Sequence, residues 1–98
     1  MALYAVSYDL RREVTAQDYD RLYEALRSYS GWCWPLESIW IIDTDFLPSA
    51  IIKGLLNIGI IDDNDGIIIL ELTGRGNYRR ASNKTGVVEW LNNTLTRI

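Results

Sequence analysis

Histidine is absent from the 98 residues, and cysteine occurs once, at Cys33. Each absence removes chemistry. Without histidine there is no Ser-His-Asp or Cys-His catalysis, no imidazole acid–base step and no histidine zinc site. A single cysteine allows neither an internal disulfide nor a thiolate metal cluster. A metal ion would have to be a hard one on carboxylate oxygens, such as magnesium, manganese or calcium. Long apolar runs are missing too. The most apolar stretch, 50–61, is short and contains Lys53 and Asn57, so no membrane span is read. Met1-Ala2-Leu3-Tyr4 runs straight into a strand pattern with no basic leader. No signal peptide is read there, and a cytoplasmic location is expected.

The excess of one charge is small, at −3, which argues against a protein that coats DNA by bulk charge. The distribution is uneven, however. Residues 36–72 carry seven acids and one base, whereas residues 73–98 carry five bases and one acid. An acidic middle followed by a basic tail is either an interaction polarity or a solvated surface.

What is present is apolar material: 48% of the residues are hydrophobic. A chain of this length makes one domain, with a core over about 3–74 and a basic C-terminal segment, 75–98. It buries only roughly two thirds of its unfolded surface, so a lone subunit is marginal.

Leu3 to Leu10 reads as a first strand, rich in aromatic and β-branched residues. Thr15 with Asp18 resembles a capping box. Tyr19, Leu22, Tyr23, Leu26 and Tyr29 form the stripe of the helix that follows, and Gly31 is a plausible stop. Trp32-Cys33-Trp34 reads as a second strand, Pro35 to Ser38 as a turn, and Ile39 to Ile42 as a third strand. A second helix starts within Asp45 to Pro48 and runs to about Ile61. Asp62-Asp63-Asn64-Asp65-Gly66 is a turn cluster, and Ile67 to Leu72 a fourth strand. Val87 to Leu95 reads as a short C-terminal helix.

This βαββαβ order predicts an α+β fold of the ferredoxin-like kind. Its four-stranded antiparallel sheet has strands one and three in the middle and two helices on one face. Ile67-Ile68-Ile69-Leu70 is apolar at consecutive positions, so both sheet faces carry apolar side chains there. The second helix is similar, with Ile51, Ile52, Leu55, Leu56, Ile58, Ile60 and Ile61 spread around it. Two helices cover one side of a sheet. The other side needs the C-terminal segment or a second subunit, and a homodimer is expected.

Three segments invite functional readings. Asp62 to Gly66 suggests a calcium loop, but the spacing fails: with Gly66 sixth, position one is Ile61 and position twelve is Leu72. Arg75-Gly76-Asn77-Tyr78-Arg79-Arg80 with Lys84 combines four positive charges, glycines and a stacking tyrosine. It is the best candidate for contacting RNA or DNA, although such sequences also make ordinary loops. Trp32, Trp34 and Trp40 read as core or interface residues, with a base-stacking platform as the sharper alternative.

The ordered set of motifs resembles the SinR-like branch of the CRISPR-associated Cas-two superfamily. It comprises Tyr4-Ala5-Val6-Ser7-Tyr8-Asp9-Leu10, then Asp18-Tyr19 with Leu22 and Ala25-Leu26, and the pair Trp32 and Trp34. Leu36-Glu37-Ser38-Ile39-Trp40 follows, then Asn64-Asp65, Glu71-Leu72-Thr73-Gly74 and Trp90-Leu91. VapD-like toxin ribonucleases open similarly but match less well later. The chain departs from the pattern between Arg75 and Gly86. The resemblance implies a nucleic-acid-associated homodimer. Asp9 would be its catalytic and metal-binding residue, meeting its dimer mate around magnesium or manganese to cut phosphodiester bonds. Ser7 and Tyr8 would flank such a site, and Arg11 and Arg12 would hold phosphate oxygens beside it. No other cofactor is implied. Against this stand a bland reading, in which Asp9 caps a turn, and relatives that act as non-catalytic scaffolds.

Overall fold

The computed structural model describes residues 2–10, 16–73 and 86–95. Its elements run β1 Ala2–Asp9, α1 Ala16–Arg27, β2 Gly31–Leu36, β3 Ile39–Thr44, α2 Pro48–Asn57, β4 Gly66–Glu71 and α3 Val87–Leu95. The four strands form one antiparallel sheet in the order β2-β3-β1-β4, so β3 and β1 are central. Thr15 lies outside the described residues. Among the described residues no helix is long and apolar enough to cross a membrane.

Strand alternation sorts side chains onto two faces. Tyr4, Val6, Trp40 and Ile42 share one face through the pairs Tyr4–Ile42 and Val6–Trp40. Onto them pack Leu22 and Leu26 from α1 and Ile51 and Leu55 from α2, making the main core. The other face carries Leu3, Cys33 and Ile41, which are covered by Val87 and Leu91 of α3. β3 is therefore buried on both sides, with five of its six residues inaccessible.

Several boundaries differ from the sequence reading; β3 runs on to Thr44, and those of β2 and α2 differ for local reasons. The strand β2 does not stop at Trp34. It continues through Pro35 to Leu36, leaving Glu37 and Ser38 as the hairpin turn. An edge strand tolerates proline, and the register shift between Cys33 and Leu36 absorbs it. Gly31 accordingly opens β2 and does not cap α1. The helix α2 stops at Asn57, short of Ile61. Gly59 adopts φ 75°, and the Gly59 and Ile60 amides donate to the carbonyls of Leu56 and Leu55 at 3.1 and 3.0 Å. This is a Schellman closure, and it turns Ile60 and Ile61 into the main core.

The Asp62–Gly66 segment is a self-bonded turn. Asp62 Oδ1 accepts from the Asn64 amide, Asp65 Oδ2 accepts from the Asp62 amide, each at 2.9 Å, and the Asp65 amide donates to the Asp62 carbonyl. Its carboxylates bond the backbone as Asx-turns do.

Candidate functional site

Asp9 is the last residue of β1, directly opposite Gly66 at the start of β4, and its side chain is exposed. Buried Leu10 anchors the chain immediately beyond it. Ser7, Tyr8 and Asp9 with Gly66, Ile67 and Ile68 line an open depression of about 310 Å³. Ser7 shares the face of Asp9, and its hydroxyl donates to the Ser38 carbonyl at 3.1 Å, tying β1 to the β2–β3 turn.

Tyr8 lies between them and turns to the opposite face. Its hydroxyl accepts from Trp40 Nε1 at 3.3 Å and packs against the main core. Burial, with hydrogen bonding to Tyr23 second, pushes the Tyr8 phenol well above its ordinary 10.0, so it stays neutral. Tyr8 is thus a wall of the core, and its phenol group does not reach round to the Asp9 carboxylate's side of the sheet.

A row of residues crosses the sheet on the Asp9 face: Leu36, Ile39, Ser7 and Ile68 are successive cross-strand partners. The next row is Cys33, Ile41, Ala5 and Leu70. The helix α3 covers Cys33 and Ile41 but leaves much of the first row and Leu70 open. Leu36, Ile68 and Leu70 are 51%, 53% and 55% exposed. Asp9 borders this apolar strip.

Among the described residues no three imidazole, thiol or carboxylate groups gather where they could hold a metal ion. Among the described residues one subunit brings a single carboxylate, Asp9, to the depression. Magnesium accepts one or two protein carboxylates and keeps its remaining waters, so a hard ion fits here if a second Asp9 joins the first. Arg11, Arg12, Arg75, Arg79, Arg80 and Lys84 lie outside the described residues.

The tryptophans do not make a flat platform. Trp40 is fully buried, and Trp34 stacks on it at 5.0 Å while donating through Nε1 to the Glu37 carbonyl. Trp32 alone of these three is 40% exposed, at the edge strand. It borders a cavity of about 290 Å³ shared with Arg27, Cys33 and Trp90. Burial pushes the Cys33 thiol up to about 11, which keeps it protonated and unreactive near neutrality.

A second arrangement is not read from the sequence. Tyr19 and Tyr23 belong to the α1 stripe, yet both are only partly buried and meet Tyr8 at the outer end of the core. With Asp20, Glu37 and Ser38 they line a cavity of about 550 Å³. The available signal was that tyrosines alternate with leucines along the stripe, at Tyr19, Leu22, Tyr23 and Leu26.

No family model matches the chain, and no curated protein matches it significantly.

Proposed function

We propose that the chain is a Cas-two-like, CRISPR-associated homodimer on a ferredoxin-like βαββαβ plan. In this reading it engages RNA or DNA and cuts it with magnesium or manganese between two Asp9 carboxylates. The observation that carries the reading is the shared face of Asp9, Ser7, Ile68 and Leu70. A second copy laid on the open strip by a two-fold axis buries the same residues twice. It also draws the two Asp9 side chains towards one seam. Two facing carboxylates without a cation repel and share a proton, so the arrangement favours a bound divalent ion. Such an ion would supply an activated water and charge stabilisation at the phosphate. The strand order β2-β3-β1-β4, with α1 and α2 on one core, supports the ferredoxin-like plan.

The second reading is a non-catalytic scaffold on the same dimer. It is favoured by the single carboxylate that, among the described residues, each subunit brings to the depression. One experiment separates them. Wild type and Asp9→Asn are assayed on RNA and DNA with magnesium, with manganese and with chelator. Cleavage that needs the ion and disappears in Asp9→Asn, with the dimer intact, supports the enzyme. Absence of ion-dependent cleavage supports the scaffold. Binding to nucleic acid is assigned to Arg75, Arg79, Arg80 and Lys84. Neutralising all four flattens the salt dependence by roughly one unit of slope for each phosphate that the chain ceases to neutralise.

A further inference from the structure

We propose that the cavity between α1 and the β2–β3 turn binds an organic ammonium cation. The rings of Tyr8, Tyr19 and Tyr23 form a near-equilateral triangle, with centroids 6.4, 6.3 and 6.1 Å apart. They are mutually tilted by 35° to 55° at separations typical of rings in contact, so a cation would sit over the three-ring cluster and not between its rings. Aromatic faces carry negative potential and attract a cation within about 6 Å of the ring centroid. Asp20 and Glu37 line the same cavity, and among the described residues its lining includes no basic side chain. Both acids are exposed, so solvent screens them and they set the sign of the ligand more than its affinity.

The cage is held from behind. Tyr23 stacks on buried Trp40 at 5.8 Å and packs on Trp34 at 4.5 Å, while Tyr8 takes a hydrogen bond from Trp40. Rings fixed in this way need little reordering when a ligand enters. The volume of about 550 Å³ suits a small organic ligand. A hard metal ion fits poorly, because no three metal-ligating groups gather among the described residues. A weakly hydrated alkylated ammonium gains more from π faces. The site is separate from Asp9, which faces the other side of the sheet, and does not depend on nuclease activity.

The ammonium group can belong to a free amine or to an alkylated lysine side chain, and the test distinguishes them. Choline is titrated into the whole protein and followed by tryptophan fluorescence, which Trp34 and Trp40 report beside Tyr23. Amide chemical shifts give the location. The control ligand is the neutral alcohol in which carbon replaces the choline nitrogen. Choline should bind saturably, at least about fivefold tighter than the neutral isostere, with shifts centred on Tyr19 and the β2–β3 turn. Asp20→Asn with Glu37→Gln, both at exposed positions, should reduce that preference without abolishing it and without changing binding of the isostere. Tyr19→Leu should abolish choline binding, and Tyr19→Phe should restore most of it. A trimethyllysine peptide that binds tighter than choline assigns the cation to a protein side chain; the reverse assigns it to a free amine. Equal binding of choline and isostere, no saturable binding of choline, or shifts centred elsewhere would overturn the proposal.

Discussion

Gly31 faces Asp43 across the β2–β3 ladder so closely that a Cβ on Gly31 would lie 2.9 Å from the Asp43 Cβ. Asp43 is buried, and the atom approached is the root of its side chain, which cannot swing away. Glycine at this position is a requirement of close approach, since its φ is not in the left-handed region. Gly31→Ala should therefore destabilise the fold by about 1–3 kcal/mol through overpacking. A urea midpoint equal to wild type would show that the strands separate freely here.

Two other glycines give opposite signs. Gly54 is exposed in the middle of α2, and an added Cβ meets nothing within 4 Å. Gly54→Ala should stabilise by roughly 0.5–1 kcal/mol through helix propensity. Gly59 has equally open space but holds φ 75° in the Schellman closure. Gly59→Ala should cost about 1 kcal/mol or more from left-handed strain. Thermal melts of the pair moving in opposite directions would confirm that backbone conformation, and not crowding, decides.

The Cys33 thiol makes a pH prediction. Burial raises it from 9.0 to about 11, so between those values the native chain keeps a proton that the unfolded chain has lost. The unfolded state binds fewer protons there, and stability falls as pH rises through the window. Burial shifts Tyr8 and Tyr29 upward as well, adding losses of the same sign above 10.0. Urea midpoints should decline from about pH 9 upward, and Cys33→Ala should flatten the earliest part of that decline. Alkylation of native Cys33 at about pH 8 should be slow and should speed up on denaturation. Rapid alkylation of the folded protein would contradict a buried, protonated thiol.

Much of this architecture is legible in the sequence because period carries it. The β1 strand and the α1 stripe through Leu22 and Leu26 follow from spacing alone, and β1 and β3 become central by the connection rules. The end of α2 was readable in principle, since Gly59 stands where a left-handed residue can close a helix. Pro35 misleads, because proline marks turns more often than edge strands with a register shift. Asp9 could be placed at a strand end, but not beside an open apolar row, because period gives a residue's face and not what covers it. The tyrosine cavity is the clearest case: it joins α1 to Glu37 and Ser38, and only the folded chain brings them together.

The open row on the Asp9 face leads to the last prediction. β4 has two apolar faces for two reasons. Ile67 and Ile69 pack against the main core, whereas Ile68 and Leu70 point to the face that α3 leaves bare. Both are more than half exposed in the lone subunit, so both should be changeable without unfolding it. Burying one such side chain is worth about 1.5–3 kcal/mol, and a two-fold contact counts each of them twice. Ile68→Lys with Leu70→Lys should weaken self-association by more than about 3 kcal/mol, roughly a hundredfold or more in Kd. In sedimentation at micromolar concentration, wild type should run as a dimer and the double variant at the monomer mass of 11.3 kDa, with equal thermal stability in dilute solution. A wild type that sediments only as a monomer would remove the second Asp9, and with it the two-carboxylate metal site. If the double variant remains a dimer, the contact lies elsewhere. The exposed Phe46, Leu47 and Ile58 flanking α2 would then be the next surface to change.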